Sequence, residues 1–333
     1  MLTIRRRAAA GLALALAAGT GRAQAQTTPQ TGQTPQEAWP ARPVRIIVPS
    51  APGGGADFTA RVFGRFLERR GQPVVVENRP GAGAVIGTDA AKSMPADGHN
   101  FVLATNSTHA ANPFLFKKLP YDPVRDFAMV GLFGSFASIL VTDARAPYRT
   151  VAELVAAAKA KQGGLFFGYY SSSSRVPAEL LREATGTELT GVSYRNVTQI
   201  LTDLRGGEVA FAFLDALSAA PALQEGSGLR ALATSAPQRN PRRAEIPAVA
   251  ETLPGFAMEG WMGLAAPAAT PPALLARANA AMAEAVAAPE VRNAFEEQGL
   301  TPRSLGLDAA RDFLAADTAR WREWVRIARI EPE

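Results

Sequence analysis

The sharpest chemical signal in the sequence is a glycine-rich segment, residues 49–57, which reads Pro-Ser-Ala-Pro-Gly-Gly-Gly-Ala-Asp. It lies between a predicted buried strand, Val44–Val48, and a predicted helix over residues 57–70. Successive glycines let backbone N–H groups converge, and a helix N-terminus adds partial positive charge, so the segment could hold a carboxylate or a phosphate. The candidate binding residues in this segment are Ser50, Pro52, Gly53, Gly54, Gly55 and Asp57.

The glycine-rich segment differs from the two common nucleotide-binding loops. No Gly-Lys-Ser or Gly-Lys-Thr follows, so it is not a nucleotide P-loop, and its glycines are contiguous, so it is not a dinucleotide fingerprint. A plain strand-to-helix turn accounts for the segment as well as anion binding does. Asp57 could complete the helix dipole as a first-turn acid, or it could meet an ammonium group on a ligand.

A second polar cluster begins at the end of the predicted strand 165–170, in the later half of the chain. Serine hydroxyls donate hydrogen bonds to anions, and an arginine can form a bidentate pair with a carboxylate. The candidate residues in this cluster are Tyr170, Ser171, Ser172, Ser173, Ser174 and Arg175. An ordinary solvated loop is the alternative.

Polar residues also follow three further predicted strands, which cover residues 101–104, 189–194 and 209–214. Ligands of open parallel sheets bind outside the carboxyl ends of the strands. The sequence therefore predicts that these strand ends contribute to the same site. The additional candidate residues are Thr105, Asn106, Ser107, Thr108, Arg195 and Asp215.

These polar residues do not form a complete catalytic set. A serine nucleophile needs a base and an orienting acid, but only His109 lies near a predicted strand end, and no Gly-x-Ser-x-Gly elbow surrounds a serine. Paired carboxylates for acid–base chemistry are missing from the predicted strand ends, where Asp57 and Asp215 are the only candidates. His99 and His109 lack the further ligands of a zinc site. We predict a protein that is not an enzyme and uses no cofactor and no metal. The alternative is a secreted serine hydrolase that uses one of the four serines.

The elements that position these residues alternate between short β-rich runs and helical stretches from Trp39 onward. This alternation predicts an α/β fold with mixed, mostly parallel sheets. It restarts near residues 142–150, and the last third of the chain is helical. We therefore predict two lobes, the first formed by residues 39–143 together with 259–333, and the second by residues 144–258.

The N-terminus has the pattern of a secretory signal peptide over residues 1–25. Three consecutive arginines precede an apolar stretch, residues 8–18, which is too short to span a bilayer, and Ala23-Gln24-Ala25 is a small-x-small cleavage signal. We predict export to the periplasm by the general secretory or the twin-arginine route. The Thr-, Gln- and Pro-containing stretch that follows, residues 26–38, is predicted to be a disordered lead-in.

Charge and cysteine content exclude several partners. The chain of 333 residues has a net charge of +5, and residues 1–25 contain four arginines and no acid, so about +1 remains after them. A nearly neutral protein has no long-range field for nucleic acid, so we predict no such partner. The chain contains no cysteine, which excludes disulfides and a lipid-modified cysteine. No later apolar run is long enough for a transmembrane helix, so no direct membrane insertion is expected.

Taken in order along the chain, the motifs resemble those of the tripartite tricarboxylate transporter receptors, also called the Bug family of periplasmic binding proteins. The resemblance covers essentially the whole mature chain, from Trp-Pro-x-Arg-Pro-Val-Arg at residues 39–45 onward. Residues 194–195 read Tyr-Arg where the family usually has Tyr-Lys. The other matching segments are residues 48–57, 73–83, 108–113, 119–123, 204–207, 230–233, 260–261 and 265–267.

This resemblance implies a two-lobed Venus flytrap fold of the type II periplasmic kind, with C-terminal helices that return to the first lobe. It also implies that a ligand carboxylate is held by the first glycine-rich loop, residues 50–57, and by a facing loop, residues 171–175. Many relatives have a longer second loop that contains Gly and Asn. The four serines and Arg175 therefore depart from the family pattern where the ligand is expected.

Together these observations predict a monomeric periplasmic protein that captures a small carboxylate without reacting with it. The expected ligand is a dicarboxylate, a tricarboxylate or an aromatic carboxylate. The expected protein partners are the membrane subunits of a tripartite tricarboxylate-type transporter or, alternatively, a sensor kinase.

Overall fold

The computed structural model describes residues 39–40 and 42–332, so the predicted signal peptide and lead-in, residues 1–38, lie outside the described residues. Ten strands and ten α-helices occur in the described part. None of these helices combines the length and the hydropathy that crossing a membrane requires. The strands are β1 (Val44–Val48), β2 (Val74–Asn78), β3 (Asn100–Thr105), β4 (Phe127–Asp143), β5 (Leu165–Tyr169), β6 (Leu189–Ser193), β7 (Phe211–Asp215), β8 (Leu229–Thr234), β9 (Glu259–Pro267) and β10 (Leu300–Pro302).

Helices follow most strands, as the alternation in the sequence predicts. Short 3-10 or π turns also occur, at Ala82–Ala84, Ser107–Ala111, Pro241–Arg243 and Val249–Glu251. The α-helices are α1 (Gly55–Glu68), α2 (Val85–Lys92), α3 (Asn112–Leu115), α4 (Val151–Ala160), α5 (Ser172–Thr185), α6 (Val197–Gly206), α7 (Ala216–Ala222), α8 (Pro272–Ala287), α9 (Pro289–Glu297) and α10 (Leu307–Ile327).

The long strand β4 joins two sheets. Its first part, residues 127–137, pairs with β9, and its second part, residues 138–143, pairs with β7 and β8. The first sheet has the order β2-β1-β3-β9-β4-β10, and the second has the order β8-β4-β7-β5-β6. We call each sheet with the helices packed on it the first lobe and the second lobe.

Parallel pairing connects β1 with β2 and β3, and β5 with β6 and β7. Antiparallel pairing is concentrated on β4 and β9, so each sheet is mixed. The pairing changes sheets between residues 137 and 138, inside the predicted first lobe segment 39–143. The chain returns to the first sheet at Glu259, which is paired with Ala137.

Helices cover both faces of each sheet. In the first lobe, α1, α8 and α9 pack on one face, and α2 and α10 pack on the other, where Trp261 and Trp321 are fully buried. The C-terminal helices therefore return to the first lobe, as the resemblance implied. In the second lobe, α4 and α5 cover one face, and α6 and α7 cover the other.

Two helices of the second lobe also contribute to the cores of the first. Leu217 of α7 lies in the apolar cluster that contains α1, and Val176 of α5 lies in the cluster that contains α10. Both side chains are buried. Burial of an aliphatic side chain stabilises by about 1.5–3 kcal/mol, so these contacts favour an arrangement in which the lobes touch.

Candidate ligand-binding site

The glycine-rich segment forms the turn between β1 and the N-terminus of α1. Gly54 precedes the helix with extended backbone angles, φ −85° and ψ 173°, and no side chain of the described residues caps the helix at this point. Gly53 has φ +83°, a left-handed conformation that favours glycine. The turn therefore presents first-turn N–H groups of α1 without a capping side chain, which is the arrangement that an anion can complete.

Asp57 forms hydrogen bonds within this turn. Its buried carboxylate accepts a hydrogen bond from the Gly53 N–H at 2.9 Å and from Arg61 Nε at 3.0 Å. Burial alone would raise the pKa of Asp57, but the hydrogen bonds from Arg61, Gly53 and Asn78 lower it overall. The carboxylate is thus held ionised as a structural acid of the first helical turn, and it shapes the glycine-rich segment.

Ser50 stands at the start of the same turn. Its Oγ atom is buried and has no hydrogen-bond partner among the described residues, while its carbonyl accepts from Asn78 Nδ2 at 3.1 Å. A buried hydroxyl without a partner costs about 1–3 kcal/mol. A ligand atom or a water that accepted from this hydroxyl would remove that penalty.

The four serines lie in and beside the first turn of α5, which begins at Ser172. The sequence predicts that this helix starts at Pro177, but the proline lies inside the helix. The reason is a cap: Ser174 Oγ accepts from the backbone N–H groups of Tyr170 at 2.9 Å and Ser171 at 3.0 Å. Ser171 and Ser174 therefore stabilise the helix start, which leaves Ser172 and Ser173 for other contacts.

Ser172 and Ser173 meet the strand end of the first lobe. Asn106 Nδ2 donates to Ser173 Oγ at 2.7 Å, and Ser172 Oγ donates to Ser107 Oγ at 2.6 Å. All four of these residues are buried. The structure thus brings together two of the predicted polar clusters, directly across the boundary between the lobes.

Thr105 and Thr108 contribute to this contact from within the first lobe. Thr108 Oγ1 accepts from the Thr105 N–H at 3.0 Å and so holds the turn that follows β3. Ser138, in β4, donates from Oγ to the Ser173 carbonyl at 3.0 Å. Sequence reasoning missed Ser138, because it is one polar residue in a long apolar strand and gives no signal of its own.

A second contact between the lobes involves Gly55 at the start of α1. A Cβ atom on Gly55 would lie 2.6 Å from Asp215 Oδ1 and 2.8 Å from Leu217 Cβ, so only a glycine permits this approach. Asp215 also accepts a hydrogen bond from the Tyr170 hydroxyl, and its Oδ1 caps α7 by accepting from the Ser218 N–H at 2.9 Å. Burial, followed by the charge of Asp215, raises the pKa of Tyr170, which keeps the hydroxyl a donor.

The two arginines among the candidates have different surroundings. Arg175 lies with its guanidinium carbon 5.2 Å from the centre of the Tyr169 ring and with Nε 3.9 Å from Glu179. Arg195 is exposed, and its backbone N–H donates to Gln199 at 3.3 Å. Among the described residues, no hydrogen bond or ion pair joins Arg195 to the other candidates.

His109 does not provide a base for a hydrolase. The ring is completely buried and packs against Phe127, and its Nδ1 pairs with Thr108 Oγ1 at 2.8 Å. Burial lowers the pKa of His109 to about 3, so the imidazole stays neutral. Within residues 39–40 and 42–332, no group of three or more His, Asp and Glu side chains is arranged to hold a metal ion.

A first prediction concerns the contact between Asn106 and Ser173. Alanine at either position should lower the free energy of unfolding by about 1–3 kcal/mol, because a buried polar group loses its partner. The double variant should lose less than the sum, with a coupling energy of about 1 kcal/mol. Urea unfolding of the ligand-free protein measures both quantities. Exposed Ser304 changed to alanine is the control, and additive single effects would show that the two lobes do not make this contact in solution.

The fold and the paired strand ends define a two-lobed solute-binding protein. A model of the tripartite tricarboxylate transporter family receptors matches residues 60–329, and the chain belongs to this family. Proteins of this family are periplasmic solute-binding receptors and not enzymes.

Individual relatives resemble the chain over most of its length. Protein BugT of Bordetella pertussis is 35% identical over 295 residues, which is 87% of this chain and 90% of BugT. The structure of R. palustris Rpa4515 with adipate has a TM-score of 0.85 and 29% identity, and it covers 89% of this chain and 100% of Rpa4515. MatC from Rhodopseudomonas palustris with bound malate has a TM-score of 0.76 and 28% identity, covering 86% of this chain and 99% of MatC.

Proposed function

We propose that the protein captures a small carboxylate between its two lobes. The first lobe takes residues 39–143 with 259–333 and the second takes residues 144–258, apart from residues 138–143 of β4, which pair within the second sheet. The observation that carries this proposal is the uncapped N-terminus of α1 beside the buried, unpaired hydroxyl of Ser50. The contacts from Gly55 to Asp215 and from Asp215 to Tyr170 bring the start of the serine cluster next to this turn.

The class of ligand is supported by the similar proteins. Rpa4515 carries adipate and MatC carries malate, and both are small dicarboxylates. We extend this to the present chain as a small carboxylate, with dicarboxylates, tricarboxylates and aromatic carboxylates as the candidates. We infer that the start of α5 influences which of them binds, because its serines depart from the family pattern and lie at the boundary between the lobes.

Binding is coupled to closure of the two lobes, which are connected by β4 and by the segment that leads into β9. The ligand docks on the turn before α1, the second lobe rotates onto it, and the approach of Asp215 to Gly55 forms as the site closes. Each N–H or hydroxyl donor contributes about 1 kcal/mol net, and more when the acceptor is charged. The closed surface is the form that a membrane partner recognises.

The cellular role follows from the N-terminal pattern and the family. Residues 1–25 direct the chain to the periplasm through the general secretory or the twin-arginine route, and residues 26–38 connect the signal to the folded part. The protein acts there as a monomer. It delivers its ligand to the membrane subunits of a tripartite tricarboxylate-type transporter or presents it to a sensor kinase.

A thermal-shift screen tests the proposed function. Protein is unfolded, dialysed and refolded to remove bound molecules, and is then heated with adipate, malate, citrate or benzoate. We expect at least one acid to raise the midpoint by several degrees, because a ligand at a hundred times Kd stabilises by about 2.7 kcal/mol. Ser50→Ala should reduce the affinity about fivefold, whereas Ser304→Ala should not. The proposal is wrong if no carboxylate stabilises the refolded protein.

A further inference from the structure

A cavity of about 450 Å³ lies at the hinge of the molecule, and its lining residues lie outside the glycine-rich segment 49–57. Its walls come from both lobes: β4 at the point where it changes sheets, α7, the loop of residues 236–246, and the end of α9. Ala216 of α7 approaches Gly299 after α9, where a Cβ on the glycine would lie 2.7 Å from Ala216 Cβ. The cavity thus lies where the two lobes meet, beside the segments that connect them.

The floor of this hinge-side cavity is apolar. It is formed by small and aliphatic side chains, and the volume falls in the range of about 300–1,000 Å³ typical of small-molecule sites. Small alanine side chains on α7 leave the space that larger residues would fill. The floor residues are Ala137, Ile139, Ala216, Ala219, Ala220 and Leu223.

The mouth of the cavity is charged but balanced. Arg239 and Arg243 pair with Glu251 and Glu245, two residues outside the cavity. Glu259 and Glu297 also line the mouth, so no net field draws an anion in from a distance. A charged head group must therefore be held by direct contact with one rim side chain.

Arg242 is the rim side chain that can change partners. It forms an ion pair with Glu296 and is more than half exposed, so this pair is worth about 0–1 kcal/mol. Glu296 is also paired with Arg292 at 3.3 Å. If Arg242 turned to an anion, Glu296 would keep a cationic partner, and no carboxylate would be left unpaired.

We propose that the hinge-side cavity is a second binding site, for a small amphipathic molecule with an apolar body on the alanine floor and an anionic head on Arg242. This site does not depend on the proposed carboxylate capture. It is nevertheless connected to the carboxylate site, because α7 borders the cavity and is capped by Asp215, which lies against Gly55. An occupant that shifts α7 changes the contact between the lobes.

The test uses two fluorescent probes on the full mature protein. 8-Anilinonaphthalene-1-sulfonate has an apolar body and an anionic head, and N-phenyl-1-naphthylamine is its uncharged counterpart. We expect one saturable site for each. Ala220→Leu, which fills the floor, should weaken both probes at least tenfold. Arg242→Gln should weaken only the anionic probe, by about five- to tenfold.

Matched controls keep the result interpretable. Ala280→Leu places the same side chain on an exposed position of α8 outside the cavity and should change nothing. Ala236→Leu, on the opposite wall loop, is a second filling variant in case Ala220→Leu unfolds, as judged by circular dichroism. Wild-type binding of the anionic probe by a folded filling variant would overturn the proposal, as would equal effects of Arg242→Gln on both probes.

Discussion

Replacing Gly55 with alanine is expected to weaken carboxylate binding by about ten- to a hundredfold. The added Cβ would lie 2.6 Å from Asp215 Oδ1 and 2.8 Å from Leu217 Cβ, both on the second lobe. Overpacking of this kind costs about 1–3 kcal/mol, and each 1.4 kcal/mol is tenfold in affinity. The third neighbour, the methyl group of Met262 at 3.2 Å, lies at the flexible end of a side chain and can move.

The neighbouring Gly54 provides the matched control. Its Cβ would meet only the Ala51 carbonyl, at 3.8 Å, and its φ of −85° suits alanine. Titration calorimetry with the carboxylate found by the thermal-shift screen gives the affinities, and small-angle scattering reports closure. We expect Gly54→Ala to close as the wild type does and Gly55→Ala to stay extended with ligand present. Equal affinity of the two variants would contradict a closed state that uses the Gly55 contact.

Two carboxylates flank the proposed anion site, and the structure explains how an anion can bind beside them. At an effective dielectric of 20, two like charges 4 Å apart repel by about 4 kcal/mol. Asp57 is neutralised by Arg61 and by the Gly53 N–H, and Asp215 accepts from Tyr170 and from the start of α7. Because their oxygens are occupied by donors, both acids order the loops that a ligand carboxylate would meet.

The fold was predictable from the sequence where the apolar pattern of an element agreed with the residues that bound it, such as prolines and capping residues. The strand Val44–Val48 lies between two prolines, and the helix that begins at Val151 is capped by Thr150, whose hydroxyl accepts from the Glu153 N–H at 3.2 Å. The predicted start of α5 at Pro177 was wrong, because the cap formed by Ser171 and Ser174 begins the helix earlier. Proline usually occupies the first turn of a helix, but here the hydrogen bonds of the serine cap start the helix before the proline.

The contacts between the lobes were beyond local sequence patterns. Asn106 and Ser173 are far apart in the chain, and their hydrogen bond depends on how β4 joins the two sheets. The strand ends predicted which kinds of side chain lie at the site. They did not predict which hydroxyls cap a helix and which form hydrogen bonds to the other lobe. Leu217 is a further example, because nothing in an apolar residue at a helix start indicates that it packs in the core of the other lobe.

Acid should destabilise this protein through His109. The pKa of the buried imidazole is lowered to about 3, whereas the unfolded chain has the ordinary value of 6.5. Between these two pH values the unfolded state binds a proton that the folded state does not, so the free energy of unfolding falls as the pH falls. At pH 4 the loss is about 3 kcal/mol, since each unit of pKa difference is 1.36 kcal/mol.

Urea unfolding at pH 7 and pH 4 measures this loss. His109→Phe keeps a ring beside Phe127 and removes the titrating group. Between pH 7 and pH 4 the variant should therefore lose about 3 kcal/mol less of its free energy of unfolding than the wild type does. Thr108→Val removes the hydroxyl that pairs with Nδ1 but retains the buried imidazole, so it should keep the full pH dependence. If His109→Phe and the wild type lose the same stability in acid, the imidazole is not buried and neutral in the folded protein.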